Sequence, residues 1–200
     1  MAYLLILELP SMHSFKPIRH LYLGGARSGK SKLAEAAAHA WQQRHPTGQV
    51  TYIATAQIWD KEMQTRVDTH RQRRPESWQL LEQPMQLTET LAQLQAENDQ
   101  PQCILVDCLT LWLTNHLCQE VPAEKNVATM AEQAIADLVS MVDGFNTELL
   151  LVSNEVGSGI VPMGELSRQF QDLSGLMNQH LAQVCDKVTL AVAGLPMELK

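Results

Sequence analysis

Short apolar runs alternate with longer amphipathic stretches along most of this chain, and Gly, Pro and polar residues punctuate the changes. The run His20-Leu21-Tyr22-Leu23 is compact, and a β-branched and aromatic run follows at Val50-Thr51-Tyr52-Ile53-Ala54. Further apolar runs occupy residues 103–107, 148–153 and 187–193. Runs of this length and composition predict buried strands. Residues 78–81 predict one more short strand, leading to Glu82. Between these runs the stretches 32–44, 60–74, 87–97, 126–143 and 165–186 predict helices. The first is rich in Ala, Leu, Glu and Gln. In the second, Met63, Val67 and His70 recur at i, i+4 and i+7 on one helical face, and Pro75 ends it. Strands that alternate with helices predict an α/β domain with a largely parallel sheet, helices on both faces, and residues 187–193 as the last strand.

One junction carries chemistry. Between the first strand and the first helix stands Gly24-Gly25-Ala26-Arg27-Ser28-Gly29-Lys30-Ser31, which fits G-x-x-x-x-G-K-[ST]. Glycines let the backbone curl so that successive N–H groups point inward at phosphate oxygens. Lys30 would reach the β- and γ-phosphates of a nucleotide, and the Ser31 hydroxyl would ligate Mg²⁺. The following helix aims its positive dipole end at the same anion. Strand, loop and helix are the context that this pattern needs.

Composition narrows the partners. Two hundred residues suit one sizeable α/β domain, and a net charge of −7 argues against nucleic acid as the main partner. The four cysteines, Cys103, Cys108, Cys118 and Cys185, form no C-x-x-C pair. That spacing argues against zinc and for buried thiols in a reduced, cytoplasmic setting. No run approaches the roughly 18 apolar residues of a membrane span. The apolar stretch at residues 3–9 lacks a preceding basic residue and a cleavage site, so it is a poor signal peptide. Residues 1–18 are set apart as an N-terminal extension to which no function is assigned, and residues 19–200 as a single domain.

Other positions gain meaning from the loop. Thr55-Ala56-Gln57 leaves the C-terminal end of the second strand, where ligands sit in open α/β sheets. The run at 103–107 ends in Asp107, a place from which nucleotide-binding proteins supply a second acid that organises Mg²⁺. Arg71, Arg73 and Arg74 crowd a helix end. There they complement the helix dipole as a solvated face, or form an anion site. His116 reads as an ordinary helix histidine. Residues 154–162 form a polar, Gly-rich loop at a strand end, suited to binding or to simple connection.

Taken in order, Gly24 to Ser31, Tyr52 to Gln57, His70 to Pro75 with Trp78 and Glu82, and Asp107 to Asn115 carry a resemblance. So do Ser153-Asn154-Glu155-Val156-Gly157 with Ile160-Val161-Pro162, then Arg168 to Asp172, Gly175, Asn178, Gln179 and Ala193-Gly194-Leu195-Pro196. From about Leu21 onward the chain resembles the bifunctional adenosylcobinamide kinase/adenosylcobinamide-phosphate guanylyltransferase family of cobalamin biosynthesis. The resemblance implies a RecA-like P-loop fold, a homotrimer and two successive reactions. ATP or GTP phosphorylates the aminopropanol hydroxyl of adenosylcobinamide. GTP then guanylylates an enzyme histidine, and GMP passes to adenosylcobinamide phosphate, giving adenosylcobinamide-GDP. The guanylylated histidine falls on His70. Nucleotide contacts fall on the loop 24–31, on Thr55, Ala56 and Gln57, on Arg71, Gln72, Arg73 and Arg74, on Glu82 and on Asp107. Lys30 is expected to act in the kinase step, with Ser31 and Asp107 at Mg²⁺.

Two departures stand out. The stretch before Arg19 is longer than is usual in the family. Thr69 stands where some members carry a second histidine beside the nucleophile. Two other readings compete, a P-loop kinase of another small alcohol with His70 structural, and a nucleotide-dependent regulatory module without catalysis.

Overall fold

The computed structural model of the chain describes residues 16–57, 75–97, 100–122 and 124–200. Among them the elements run β1 (Arg19–Gly24), α1 (Lys30–Arg44), β2 (Gln49–Ala54), β3 (Gln79–Glu82), α2 (Leu87–Ala96) and β4 (Gln102–Asp107). Then come α3 (Leu109–Leu117), α4 (Val127–Asp143), β5 (Glu148–Asn154), α5 (Glu165–Val184), β6 (Lys187–Val192) and β7 (Leu195–Glu198). The helix expected over residues 60–74 lies outside the described residues.

The strands form one seven-stranded sheet in the order β3-β2-β4-β5-β1-β6-β7. Every pairing is parallel except β6 with β7. The apolar runs are nearly continuous because both faces of a parallel strand are covered. Alternate residues nonetheless go to different cores. Leu21, Leu23, Ile104, Val106, Leu149 and Leu151 pack with α2, α3, α4 and α5. Tyr22, Cys103, Leu105, Leu150 and Val152 pack with Ala34, Ala38 and Trp41 of α1 on the other face. The architecture is a RecA-like P-loop α/β fold, with β5 inserted between the loop-bearing strand β1 and the strand β4 that ends in Asp107.

Local chemistry fixes the boundaries. Asn126 caps α4, its Oδ1 accepting from the backbone N–H groups of Ala128 at 2.9 Å and Thr129 at 3.3 Å. Such a cap contributes about 1 kcal/mol. Helix α5 stops at Val184, two residues earlier than the pattern predicts. Cys185 takes an extended conformation, and Asp186 is drawn into a fork with Arg19. Arg19 Nε donates to Asp186 Oδ2 at 2.9 Å, and Nη2 donates to Oδ1 at 3.0 Å. This pair ties the start of β1 to the start of β6 and holds the Asp186 carboxyl down at about 2.

Two expectations are corrected. Residues 187–193 are not the last strand, because β7 returns antiparallel along β6. Its signal is weak, since Pro196 lies inside it and proline is admitted to sheets chiefly at edges. The cysteines are free thiols, but Cys118 is exposed while the other three are buried. Among the described residues, no helix is long and apolar enough to cross a membrane.

Candidate nucleotide site

The parallel strands bring their C-terminal ends to one edge of the sheet, and register sets which residues stand level. Gly24 pairs with Asn154 and Asp107 with Val152. Ala54 stands between Glu82 on one side and Asp107 on the other. Of the expected site residues, 24–31, 55–57, Glu82 and Asp107 therefore share this edge. His70, Arg71, Gln72, Arg73 and Arg74 lie outside the described residues.

The loop 24–31 is curled as its glycines permit. Gly24 has φ +153° and Gly29 has φ +98°, and Arg27 also takes a positive φ, +57°. A β-carbon on Gly24 would lie 2.4 Å from Ser28 Oγ and 2.6 Å from the Ala191 carbonyl oxygen, so glycine is required there. Gly29 is the N-cap of α1 and offers no side-chain cap to the first turn, which suits a site for an external anion. Gly25, Ala26 and Arg27 are exposed, and Ser31 is half-buried. Lys30 is buried, and its Nζ donates to the Gly25 carbonyl at 3.1 Å. Burial lowers the Lys30 pKa, opposed by the nearby Cys108 and by Asp107. The strand end at 107–108 thus faces the loop electrostatically.

Asp107 is held by a partner that lies within the resemblance but is not among the expected site residues. Tyr52, buried on β2, donates its phenolic O–H to Asp107 Oδ2 at 2.9 Å. Its signal was a hydroxyl at the tip of a residue that otherwise reads as strand packing. Thr55 is fully buried and its side chain is engaged: Oγ1 donates to the Cys108 carbonyl at 2.7 Å and accepts from Cys108 N–H at 2.9 Å. Asn115 Nδ2 donates to the carbonyls of Thr55 at 2.8 Å and Pro84 at 2.9 Å, joining β2, α3 and the approach to α2. Ala56 and Gln57 remain half-buried and Glu82 exposed. His116 stays an ordinary helix histidine, edge-on to Trp112, with burial lowering its pKa.

The polar loop after β5 is built onto the same edge. Glu155 N–H donates to the Gly24 carbonyl at 3.1 Å. Asn154 N–H donates to Thr110 Oγ1 at 2.9 Å, and Asn178 Nδ2 donates to the Asn154 carbonyl at 3.0 Å. Gln171 Nε2 reaches the Val156 carbonyl at 3.1 Å, and Glu155 Oε1 accepts from Gly157 N–H at 2.8 Å. Beyond that anchored segment Ile160 and Met163 are almost wholly exposed, at 96% and 97%.

Among the described residues no three His, Cys, Asp or Glu side chains gather as a metal-binding group. The oxygens at hand are the Ser31 hydroxyl and the Asp107 carboxylate. Few protein oxygens, completed by phosphates and water, is the donor set that Mg²⁺ takes in nucleotide sites.

A curled glycine loop that opens a helix, on a parallel sheet with an acid ending the strand two places away, defines a P-loop nucleotide-binding α/β protein. Comparison with known proteins narrows the class. The chain belongs to the CobU family, cobinamide kinase / cobinamide phosphate guanyltransferase, whose family model matches residues 20–199. It is 46% identical over 183 residues to the bifunctional adenosylcobalamin biosynthesis protein CobP of Pseudomonas aeruginosa, covering 92% of this chain and 98% of that one. It is 37% identical over 187 residues to the CobU protein of Escherichia coli and 38% identical over 188 residues to that of Salmonella typhimurium. Each of these two alignments covers 90% of this chain and 98% of the relative. Among solved structures, a DnaB-like replicative helicase described with its primase interactions aligns at TM-score 0.49 and 15% identity. That alignment covers 88% of this chain and under half, 47%, of the helicase chain.

Proposed function

We propose that this chain, as one domain over residues 19–200, is a bifunctional enzyme of cobalamin biosynthesis. It phosphorylates adenosylcobinamide and then converts the phosphate to adenosylcobinamide-GDP. The observation that carries the reading is membership of the cobinamide kinase / cobinamide phosphate guanyltransferase family over residues 20–199, joined to a glycine loop and a strand-end acid at the same edge of the sheet.

In the kinase step the aminopropanol oxygen attacks the γ-phosphorus of ATP or GTP. The bond to the β-phosphate oxygen breaks, the nucleoside diphosphate leaves, and the hydroxyl proton passes to solvent. The protein's share is positioning and charge. N–H groups of the loop 24–31 cradle the phosphates, and Lys30 turns from the Gly25 carbonyl to the β- and γ-phosphates. Ser31 and Asp107 would hold Mg²⁺, which neutralises charge on the phosphates. Tyr52 fixes the Asp107 carboxylate, and Thr55 with Asn115 fixes the neighbouring strand ends. Ala56, Gln57 and Glu82 border the nucleotide.

In the transferase step a ring nitrogen of His70 attacks the α-phosphorus of GTP, and pyrophosphate leaves. A phosphate oxygen of adenosylcobinamide phosphate then attacks the same phosphorus, which frees His70 and makes the diphosphate link. Histidine has a substantial neutral fraction near pH 7, and the covalent route splits one hard transfer into two. Arg71, Arg73 and Arg74, with Gln72, bind phosphate oxygens, since arginine forks suit that geometry. The protein works in the cytoplasm as a homotrimer. The exposed Ile160, Val161 and Met163 support assembly, because a lone chain would leave them in water.

The test is to supply adenosylcobinamide, ATP, GTP and Mg²⁺ and to follow products by chromatography and mass. Successive appearance of adenosylcobinamide phosphate and adenosylcobinamide-GDP is expected. Nucleotide binding without turnover of either corrinoid would leave the regulatory-module reading in its place.

A further inference from the structure

The turn between β6 and β7 is Ala193-Gly194, flanked by the paired residues Val192 and Leu195. Ala193 has φ +52° and Gly194 has φ +82°, the left-handed geometry that a two-residue hairpin of the primed type needs. This turn does not simply project into solvent. Gly194 N–H donates to the Ser28 carbonyl at 2.8 Å. The Gly194 Cα lies 3.1 Å from the place a β-carbon on Gly29 would take. At the other end of the loop, the carbonyl of Ala191 on β6 closes on Gly24, 2.6 Å from its would-be β-carbon. The strand β6 and its turn therefore touch the loop 24–31 at its entry and at its exit. Glycine at 24 and at 29 answers to this hairpin as well as to an anion.

The hydrogen bond has a directional consequence. The Ser28 carbonyl and the Gly29 N–H belong to one planar trans peptide, so they point in opposite directions. A donor that captures the carbonyl from the hairpin side turns the Gly29 N–H away from the hairpin. An N–H that already faces the phosphate needs no reorientation when the nucleotide binds, and pre-organised donors bind anions more tightly. We propose that the β6–β7 hairpin is a working part of the nucleotide site and that Gly194 is a positioning residue, aiming the Gly29 N–H through the Ser28 carbonyl. This inference rests on the nucleotide-binding reading of residues 24–31.

The experiment measures binding of ATP with Mg²⁺ by isothermal titration, alongside Tm, on the full chain. A β-branched side chain at φ +82° is strained, so Gly194→Val should move the turn off Ser28. It should weaken ATP binding about 3- to 10-fold, the scale of one hydrogen bond. Asparagine tolerates the left-handed region, so Gly194→Asn should stay within about 2-fold of the parent. Asn126→Ala, a remote cap variant, should lower Tm with no change in ATP affinity. A second route deletes only the donor. A chain ligated at Cys185, with glycolic acid in place of Gly194, carries an ester where the N–H was. It should lose affinity to the same degree, and it decides the matter if Gly194→Val fails to fold. Parent-like ATP affinity in both Gly194→Val and the ester chain overturns the role of the hairpin. Absence of ATP binding by the unaltered chain overturns the nucleotide reading itself.

Discussion

Replacing Tyr52 with phenylalanine removes one oxygen and keeps the ring in place. Tyr52 is 2% exposed, and its O–H donates to Asp107 Oδ2 at 2.9 Å. A hydrogen bond to a charged group contributes about 1.5–3 kcal/mol, and little packing is lost with the ring retained. Net destabilisation of about 1–2 kcal/mol lowers Tm by a few degrees in a chain of this size. The larger effect falls on the ion. A carboxylate that has lost its orienting donor holds Mg²⁺ less well, and losing such an outer partner typically costs about 10-fold in metal affinity or more. The assay is the rate of nucleoside diphosphate release with adenosylcobinamide across a Mg²⁺ series, for the parent, Tyr52→Phe and Asp107→Asn. Tyr52→Phe should raise half-saturating Mg²⁺ about 10-fold and leave the rate at saturating Mg²⁺ closer to that of the parent. Asp107→Asn should shift it further. An unchanged Mg²⁺ curve for Tyr52→Phe beside a shifted one for Asp107→Asn would refute the orienting role of Tyr52. Unchanged curves for both would remove Asp107 from the ion.

Lys30→Ala should cut adenosylcobinamide phosphorylation about 100-fold or more, the scale of losing one preorganised charge, and a near-parental rate would take Lys30 out of the mechanism. Asp186→Asn tests the Arg19 fork by urea unfolding at several pH values. The Asp186 carboxyl is held at about 2 in the fold, chiefly by its hydrogen bond to Arg19, against an ordinary 3.8. A depressed carboxylate stabilises the fold above its unfolded pKa and loses that contribution as pH falls through the folded one. Solvent screens this partly exposed pair, so the variant should be about 1 kcal/mol less stable at pH 7, with the gap closing between about pH 4 and pH 2. A gap independent of pH would assign the loss to packing. Light scattering at working concentration should return the mass of three chains, and a monomer would contradict the assembly.

The runs that became β1, β2, β4 and β5 were legible because parallel strands covered on both faces are written as continuous apolar residues. The loop 24–31 was legible because the phosphate-cradling curl needs glycine at fixed spacings. Strand β7 was not, since Leu195-Pro196-Met197-Glu198 is short and carries a proline. Nor was the pairing of Tyr52 with Asp107, because 55 positions separate them and only the register of β2 against β4, with Tyr52 beside Leu105, puts the phenol within reach of the carboxylate two residues further on. The same holds for Gly194 and Ser28. A glycine after a strand announces a turn, but what the turn touches depends on β6 lying beside β1. The early stop of α5 follows from Arg19, a partner that helix periodicity cannot reveal.

The central claim is that one chain uses its P-loop for phosphoryl transfer and a histidine, His70, for guanylyl transfer. It is tested most directly by incubating the protein with GTP labelled at the α-phosphorus and Mg²⁺, then denaturing it and counting retained label. The unaltered chain should keep acid-labile, base-stable GMP. His70→Ala should keep none, while still phosphorylating adenosylcobinamide from ATP at most of the parental rate. Label that survives on His70→Ala would contradict the account, because another residue would then be the nucleophile.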